Sequence, residues 1–202
     1  MVPLFLKSFD EKTLTKSIYS RLFALSYYCM CKKVFAHANN IYEIDVSFFV
    51  KAGVKTLILD LDNTLDSYRL YHPSPRAYEL MDKLHAAGIN TVIISNNRGK
   101  RVSSYANDLK IPYIWSARKP FPGKIKKFIK DNNLNKEEVM LVGDQLMTDV
   151  TAANKAKIRV VLTEKLVKED QWTTHINRIF DRPIRFIMRK RGKLPDWRTI
   201  YG

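Results

Sequence analysis

A chain of 202 residues, 46% of them apolar, buries a core of its own, which excludes a largely disordered protein and leaves room for one ordinary domain with short extensions. Lysine and arginine number 35 against 20 acidic residues, a net charge of +15, so an anionic partner or substrate is the first expectation. Cys29 and Cys31 suit neither a disulfide framework nor the CxxC spacing of zinc and redox sites, which points to a reducing cytoplasm.

In chain order, the longest apolar run is 22–31, set between Arg21 and Lys32-Lys33. Its 10 residues fall well short of the roughly 20 that cross a bilayer. Ala36-His37-Ala38 resembles a signal-peptide cleavage site, but Lys32 and Lys33 separate it from the run, and Ser26, Tyr27 and Tyr28 dilute the apolar stretch. Secretion is therefore the lesser reading beside a short helix that packs on the body or lies on a membrane face. Residues 1–50 are set apart as an N-terminal helical extension, of which 1–35 match no pattern.

Beyond it, five short β-branched or aromatic runs predict strands: 56–59 into Asp60, 91–94 into Ser95-Asn96-Asn97, 113–115 before Arg118-Lys119-Pro120, 139–142 into Gly143-Asp144, and 159–163. They scarcely alternate, as expected of strands buried on both faces. Helical spacing fills the gaps: 75–87, with apolar Ala77, Leu80, Met81, Leu84 and Ala87 and Gly88 as its stop, then 100–109, 123–132 and 148–157. Strands alternating with such helices predict an α/β fold, a three-layer Rossmann-like core over 51–165 around a parallel sheet. A basic helical extension, 166–202, closes the chain.

In parallel sheets ligands bind beyond the carboxyl ends of the strands. Those ends carry Asp60 and Asp62, Ser95 and Asn96, Lys119, then Asp144 and Asp149, so carboxylates, a hydroxyl, an amide and a lysine converge on one rim. An EF-hand is excluded, because Leu65 stands at position 6 and Tyr71 at position 12 of such a loop. A receiver domain would need its acids and lysine in a different order.

The series resembles the haloacid dehalogenase (HAD) superfamily of phosphatases. Asp60, Asp62 and Thr64 match its DxDxT, Ser95 its second motif, Lys119 its third, and Asp144 and Asp149 in GDQLMTD its fourth. The likeness covers about 55–162. DLDNTL, SNN, ARKP and GDQLMTDVTAAN are more narrowly similar to the capless subclass III and its YqeG-type branch, related to phosphatidylglycerophosphate phosphatases. The resemblance implies a HAD-like fold and Mg²⁺ held by Asp60, the backbone carbonyl of Asp62 and the Asp144 carboxylate. It implies Asp60 as nucleophile, Asp62 as general acid and base, and Ser95, the Asn96 N–H and Lys119 as holders of the phosphoryl oxygens. Thr64 would buttress the loop, and Asp149 would orient Lys119 or a metal-bound water.

Plainer readings stand beside these. Asp144 can cap the next helix, Ser95-Asn96 is an ordinary N-cap pair, Lys119 can be a solvated loop lysine, and Asn63 and Asp66 suit turns. Residues 65–90 hold a flap and one helix, and 97–118 are equally short, so no large cap domain is expected and the rim is open.

From 176 to 193 seven basic residues face one acid, Asp181. Arg178, Arg182, Arg185 and Arg189 form a helical stripe opposite Ile176, Ile179, Phe180, Ile184 and Ile187, with Pro183 expected to split the segment into two helices and Asp181 near the start of the second. Such a segment suits an anionic membrane surface, ribosomal RNA, or packing with its arginines in solvent. The expected function is a phosphatase acting on phosphatidylglycerophosphate as a peripheral protein on the cytoplasmic face of the membrane. A phosphatase of a soluble phosphomonoester, or an RNA- or ribosome-associated protein, are the alternatives.

Overall fold

Among the described residues, six short parallel strands make one sheet in the order β1-β6-β5-β2-β3-β4, flanked by helices in a Rossmann-like arrangement with no large cap. The computed structural model describes residues 31–167 and 172–201, with backbone alone over 172–180. The elements are β1 (Ala36–Ala38), α1 (Val46–Lys51), β2 (Thr56–Asp60), α2 (Pro75–Ala86), β3 (Asn90–Ile94) and α3 (Gly99–Asp108). β4 (Tyr113–Ile114), α4 (Gly123–Asp131), β5 (Val139–Gly143), a π-helical turn (Leu146–Val150), α5 (Thr151–Ala156), β6 (Arg159–Thr163) and α6 (Trp172–Lys190) follow. The apolar run beginning at Leu22 lies outside the described residues except for Cys31. No helix among the described residues is long and apolar enough to cross a membrane.

Four of the five predicted strands form because their runs leave no polar face to solvate: every residue of β2 and β5 is buried, as are the last four of β3 and β6. The fifth, β4, is not buried on both faces as expected, because it lies at the sheet edge with Tyr113 exposed and Ile114 half-buried. α2 starts at Pro75, whose missing N–H costs nothing there, buries Ala77, Leu80, Met81 and Leu84, and stops where Gly88 takes φ 74°. Between β2 and β5 the strand order reverses: the chain runs outward from β2 through β3 and β4, then returns to the other side of β2 as β5. The carboxyl ends of β2 and β5 therefore flank the switch point, where such sheets hold ligands.

Two further features differ from expectation. Ala36-His37-Ala38, the cleavage-site look-alike, is β1, paired in register with Val161, Leu162 and Thr163 and covered on its outer edge where the His37 N–H donates to Pro195 O at 2.7 Å. Pro183 does not divide the basic segment, for α6 is one helix from Trp172 to Lys190. Its buried side is Asp181, Ile184, Arg185 and Met188, while Arg182, Phe186, Arg189 and Lys190 are exposed. Burial of that face offsets the roughly 3 kcal/mol a mid-helix proline costs. The arginines thus do not share one solvated stripe. The side chains of Ile176, Arg178, Ile179 and Phe180 lie outside the described residues.

Glu164 ties these parts together. His37 Nε2 donates to its Oε1 at 2.9 Å, and Arg185 and Arg189 approach the same oxygen at 3.1 and 3.2 Å. The His37 hydrogen bond leads in holding the carboxyl down at about 2, against burial and with help from Arg185. A depressed carboxyl contributes stability above its ordinary value of 4.5 and loses it as pH falls toward 2. Glu164→Gln is expected to cost about 1 kcal/mol at pH 7, a modest figure because the side chain is partly solvated. Thermal melts at pH 7 and in steps down from pH 4.5 should show the gap between the two proteins closing with acid.

Candidate active site

Four strand ends deliver the site. After Asp60 the chain turns at Asn63, whose φ of 63° is one that asparagine tolerates well and whose N–H donates to Asp66 O at 2.8 Å. The turn carries Thr64 back, so that its hydroxyl donates to Asp60 Oδ2 at 3.1 Å. Asp66 is more than a turn residue: buried, it accepts from the Ser74 N–H at 2.9 Å, the Tyr105 hydroxyl at 2.7 Å and Arg76 at 3.3 Å, fastening the flap.

At the end of β5 the residue type is dictated by space. A Cβ at position 143 would lie 2.5 Å from Asp149 Cγ, so only glycine lets the π-helical turn fold Asp149 back beneath the strand end. From there Asp149 Oδ1 accepts from Lys119 Nζ at 2.6 Å, and the same ammonium donates to Asp60 Oδ1 at 2.5 Å. Lys119 is held in place by Asn96, whose amide donates to Lys119 O at 2.9 Å and accepts from Lys119 N at 2.8 Å.

Asp60, Asp144 and Asp149 are all buried, with carboxylate oxygens within 4.8 Å of one another. Burial drives the Asp60 carboxyl well above the ordinary range; Lys119 pulls against that rise, and Asp149, Asp144 and Asp62 add to it. For Lys119, burial works downward, but Asp149 and then Asp60 outweigh it and lift the ammonium above the usual lysine value. When all are ionised, three carboxylates against one ammonium leave an excess of two negative charges in a buried site. Hard oxygen donors with that charge fit a small divalent cation such as Mg²⁺.

The Asp62 carboxylate stands apart from this cluster. It accepts from Ser95 Oγ at 3.1 Å and Asn97 Nδ2 at 2.9 Å through one oxygen, and pairs with Arg101 Nη1 at 2.6 Å through the other. Arg101 also donates to Leu70 O at 2.9 Å and Ser67 O at 2.8 Å, so a single buried guanidinium fixes both the carboxylate and the flap. Motif matching passes over Arg101. A signal existed, since Lys100 and Arg101 lie in the first turn of α3, where the helix dipole disfavours cations and an anionic partner is called for.

Arg185 is the other addition. From α6 it donates to Asp144 O and, at 3.1 Å, to Thr163 O, while Asp181 accepts from the Leu146 N–H at 3.1 Å. α6 thereby closes over the loop that carries Asp144. The eight predicted site residues thus divide into a buried cluster of Asp60, Thr64, Lys119, Asp144 and Asp149 and an adjoining wall of Asp62, Ser95 and Asn96.

Over residues 5–163 the chain matches the sequence pattern of the haloacid dehalogenase-like hydrolases. It is similar to the probable phosphatase YqeG of Bacillus subtilis (strain 168), 32% identical over 168 residues that cover 82% of this chain and 98% of that protein. It is also similar to a phosphoserine phosphatase of Lactococcus lactis, 27% identical over 146 residues, 63% of this chain and 65% of the other. Among solved structures, a 3-deoxy-D-manno-octulosonate 8-phosphate phosphatase from Moraxella catarrhalis aligns at 15% identity and a TM-score of 0.46, over 71% of this chain and 91% of its own.

Proposed function

The chain belongs to the haloacid dehalogenase-like hydrolases, and from that premise we propose that it is a Mg²⁺-dependent phosphomonoesterase working through an aspartyl-phosphate on Asp60. The observation that carries the proposal is the buried Asp60 carboxylate at the switch point, one oxygen on Lys119, the other on Thr64, with Asp144 and Asp149 beside it.

In this reading Lys119, the Ser95 hydroxyl and the Asn96 N–H hold the phosphoryl oxygens of the substrate. An Asp60 oxygen attacks phosphorus, the bond to the leaving oxygen breaks, and Asp62 gives that oxygen its proton. Asp62 then takes a proton from the water that attacks the phosphoenzyme, which frees inorganic phosphate and restores Asp60. Asp60, Asp144 and the backbone carbonyl of Asp62 would hold Mg²⁺, which when bound offsets the repulsion between an anionic nucleophile and a dianionic ester. Asp149 holds Lys119 in line, and Arg101 keeps Asp62 against the flap.

The substrate that fits best is phosphatidylglycerophosphate, dephosphorylated at the cytoplasmic face of the membrane. Three things support this choice: the resemblance in SNN, ARKP and GDQLMTDVTAAN, the open rim, and the net charge of +15. The test is phosphate release, with Mg²⁺ and with excess EDTA, from phosphatidylglycerophosphate in vesicles and from a panel of soluble phosphomonoesters. EDTA-sensitive release with at least a tenfold preference for the lipid is expected. Release from soluble esters alone would keep the phosphatase and remove the lipid. No release from any ester would overturn the proposal in favour of RNA association, to be checked by salt-dependent RNA binding.

A further inference from the structure

Beside the phosphoryl site lies an open cleft of 710 Å³ whose lining includes Asn96, Trp115, Arg118, Phe121 and Lys124. Its volume is that of a small-molecule site. It adjoins the reaction, because Asn96 lines it and also bonds both backbone groups of Lys119. We propose that this cleft is a second anion subsite, which takes a negatively charged group carried by the substrate beyond its phosphomonoester. The inference deepens the phosphatase reading and rests on it.

Charge is the first argument. The lining holds two cations and no carboxylate. The guanidinium of Arg118 is exposed and pairs with no carboxylate among the described residues. A cation left unneutralised beside a site that already handles a dianion attracts a further anionic group.

Construction is the second. The walls are fixed to the phosphoryl loop, since the Ser116 N–H donates to Asn97 O and the Ala117 N–H to Ser95 O, both at 2.9 Å. Ser116 and Arg118 hold φ values of 46° and 58°, which L residues adopt at a cost, and the side chain of Arg118 is carried on that bend. Lys124 Nζ donates to Trp115 O at 2.7 Å and lies 5.0 Å from the centre of the Trp115 ring. A Cβ at position 99 would lie 3.5 Å from that ring, so Gly99 at the start of α3 packs beside it. Trp115 and Phe121 remain 48% and 66% exposed, so they wall the cleft instead of filling the core.

Cations beside exposed aromatic rings suit an anion flanked by non-polar groups. A phosphodiester or carboxylate attached to a carbon skeleton has that chemistry. A free lipid headgroup and a soluble bisphosphate share it, and the probes must separate them.

The test uses glycerol 3-phosphate, with one anionic group, against fructose 1,6-bisphosphate and water-soluble dihexanoyl phosphatidylglycerophosphate, each with a second. Wild type, Arg118→Ala and Arg118→Lys are compared by kcat/KM with Mg²⁺ present. Affinities for the same probes are measured by calorimetry on Asp60→Asn with and without Arg118→Ala. Preference for two anions over one is expected to fall about tenfold in Arg118→Ala, through KM and Kd, with Arg118→Lys retaining most of it. An unchanged preference, or equal binding of one- and two-anion probes, would overturn the subsite even in a protein that hydrolyses none of them. Preference for the bisphosphate with no turnover of the lipid would uphold the subsite and remove the lipid reading.

Discussion

Asp60→Asn is expected to lower phosphate release by about 10⁴-fold or more while the protein stays folded. The amide is nearly isosteric with the carboxylate, so the packing around residue 60 survives. Its oxygen can keep Lys119, 2.5 Å away, and its NH₂ can donate to Thr64 Oγ1, which now donates to Asp60 Oδ2. What it lacks is an anionic oxygen able to form an acyl phosphate and release it again. Stability should hold or rise, since burial is the main force opposing the Asp60 charge and the amide carries none. Two readouts separate this from a folding defect: a melt within a few degrees of wild type, and loss of the mass increment of a trapped phosphoenzyme. A variant keeping a tenth of wild-type turnover would remove Asp60 as nucleophile.

The residues proposed for this chemistry were legible because parallel strands bury both faces and so announce their ends. Asp60, Ser95 and Asp144 each follow a run with no polar interruption, and the strand order then brings Asp60 and Asp144 side by side. Other features were not legible for physical reasons. β1 is three residues long and carries His37 between two alanines, too short for any periodicity to register. Arg185 resembles its solvated neighbours in sequence; only the packing of α6 decides that its guanidinium reaches Asp144 O. Pro183 is a helix breaker by local rule, and it is the long-range burial of Ile184 and Met188 that overrides the rule. The glycine at 143 could be seen, but its reason, the Asp149 side chain beneath it, is set by a π-helical turn that no spacing reveals.

Each arginine or lysine in the site also secures backbone that the sequence alone leaves loose. Arg101 fixes the flap, Arg185 the Asp144 loop, and Lys119 spans the second and fourth motifs through Ile94 O and Asp149. Part of the basic excess therefore faces inward, to acids and carbonyls around one cluster. Arg118, by contrast, is exposed on the lining of the cleft beside Asn96.

Lys119→Met is the sharpest test of that arrangement. The ammonium is almost wholly buried between Asp60 and Asp149, so its removal strands two carboxylates in a dry pocket. Breaking a buried pair in this way costs about 3–5 kcal/mol, which for a chain of this size is on the order of 10 °C in Tm. The deficit should depend on pH in a defined sense. Burial already raises the Asp60 carboxyl, and without Lys119 the ammonium that pulls against that rise is gone. A carboxyl raised in the folded state is no burden below its ordinary value of 3.8, and it withdraws stability as pH climbs through the folded value. The variant should therefore approach wild type in acid and fall away from it toward neutrality: wild type carries the same penalty in smaller degree, because Lys119 pulls against the rise, and Lys119 itself, raised above the usual lysine value, stays charged throughout that range. Adding Asp149→Asn should restore much of the stability by removing one stranded charge. It should not restore turnover, expected to be down about 10³-fold, because the cation proposed to hold the phosphoryl oxygens is still missing. Melts from pH 4 to 8 beside phosphate release decide it: a deficit that ignores pH would mean that Lys119 serves packing, and recovery of turnover in the double variant would remove it from the reaction.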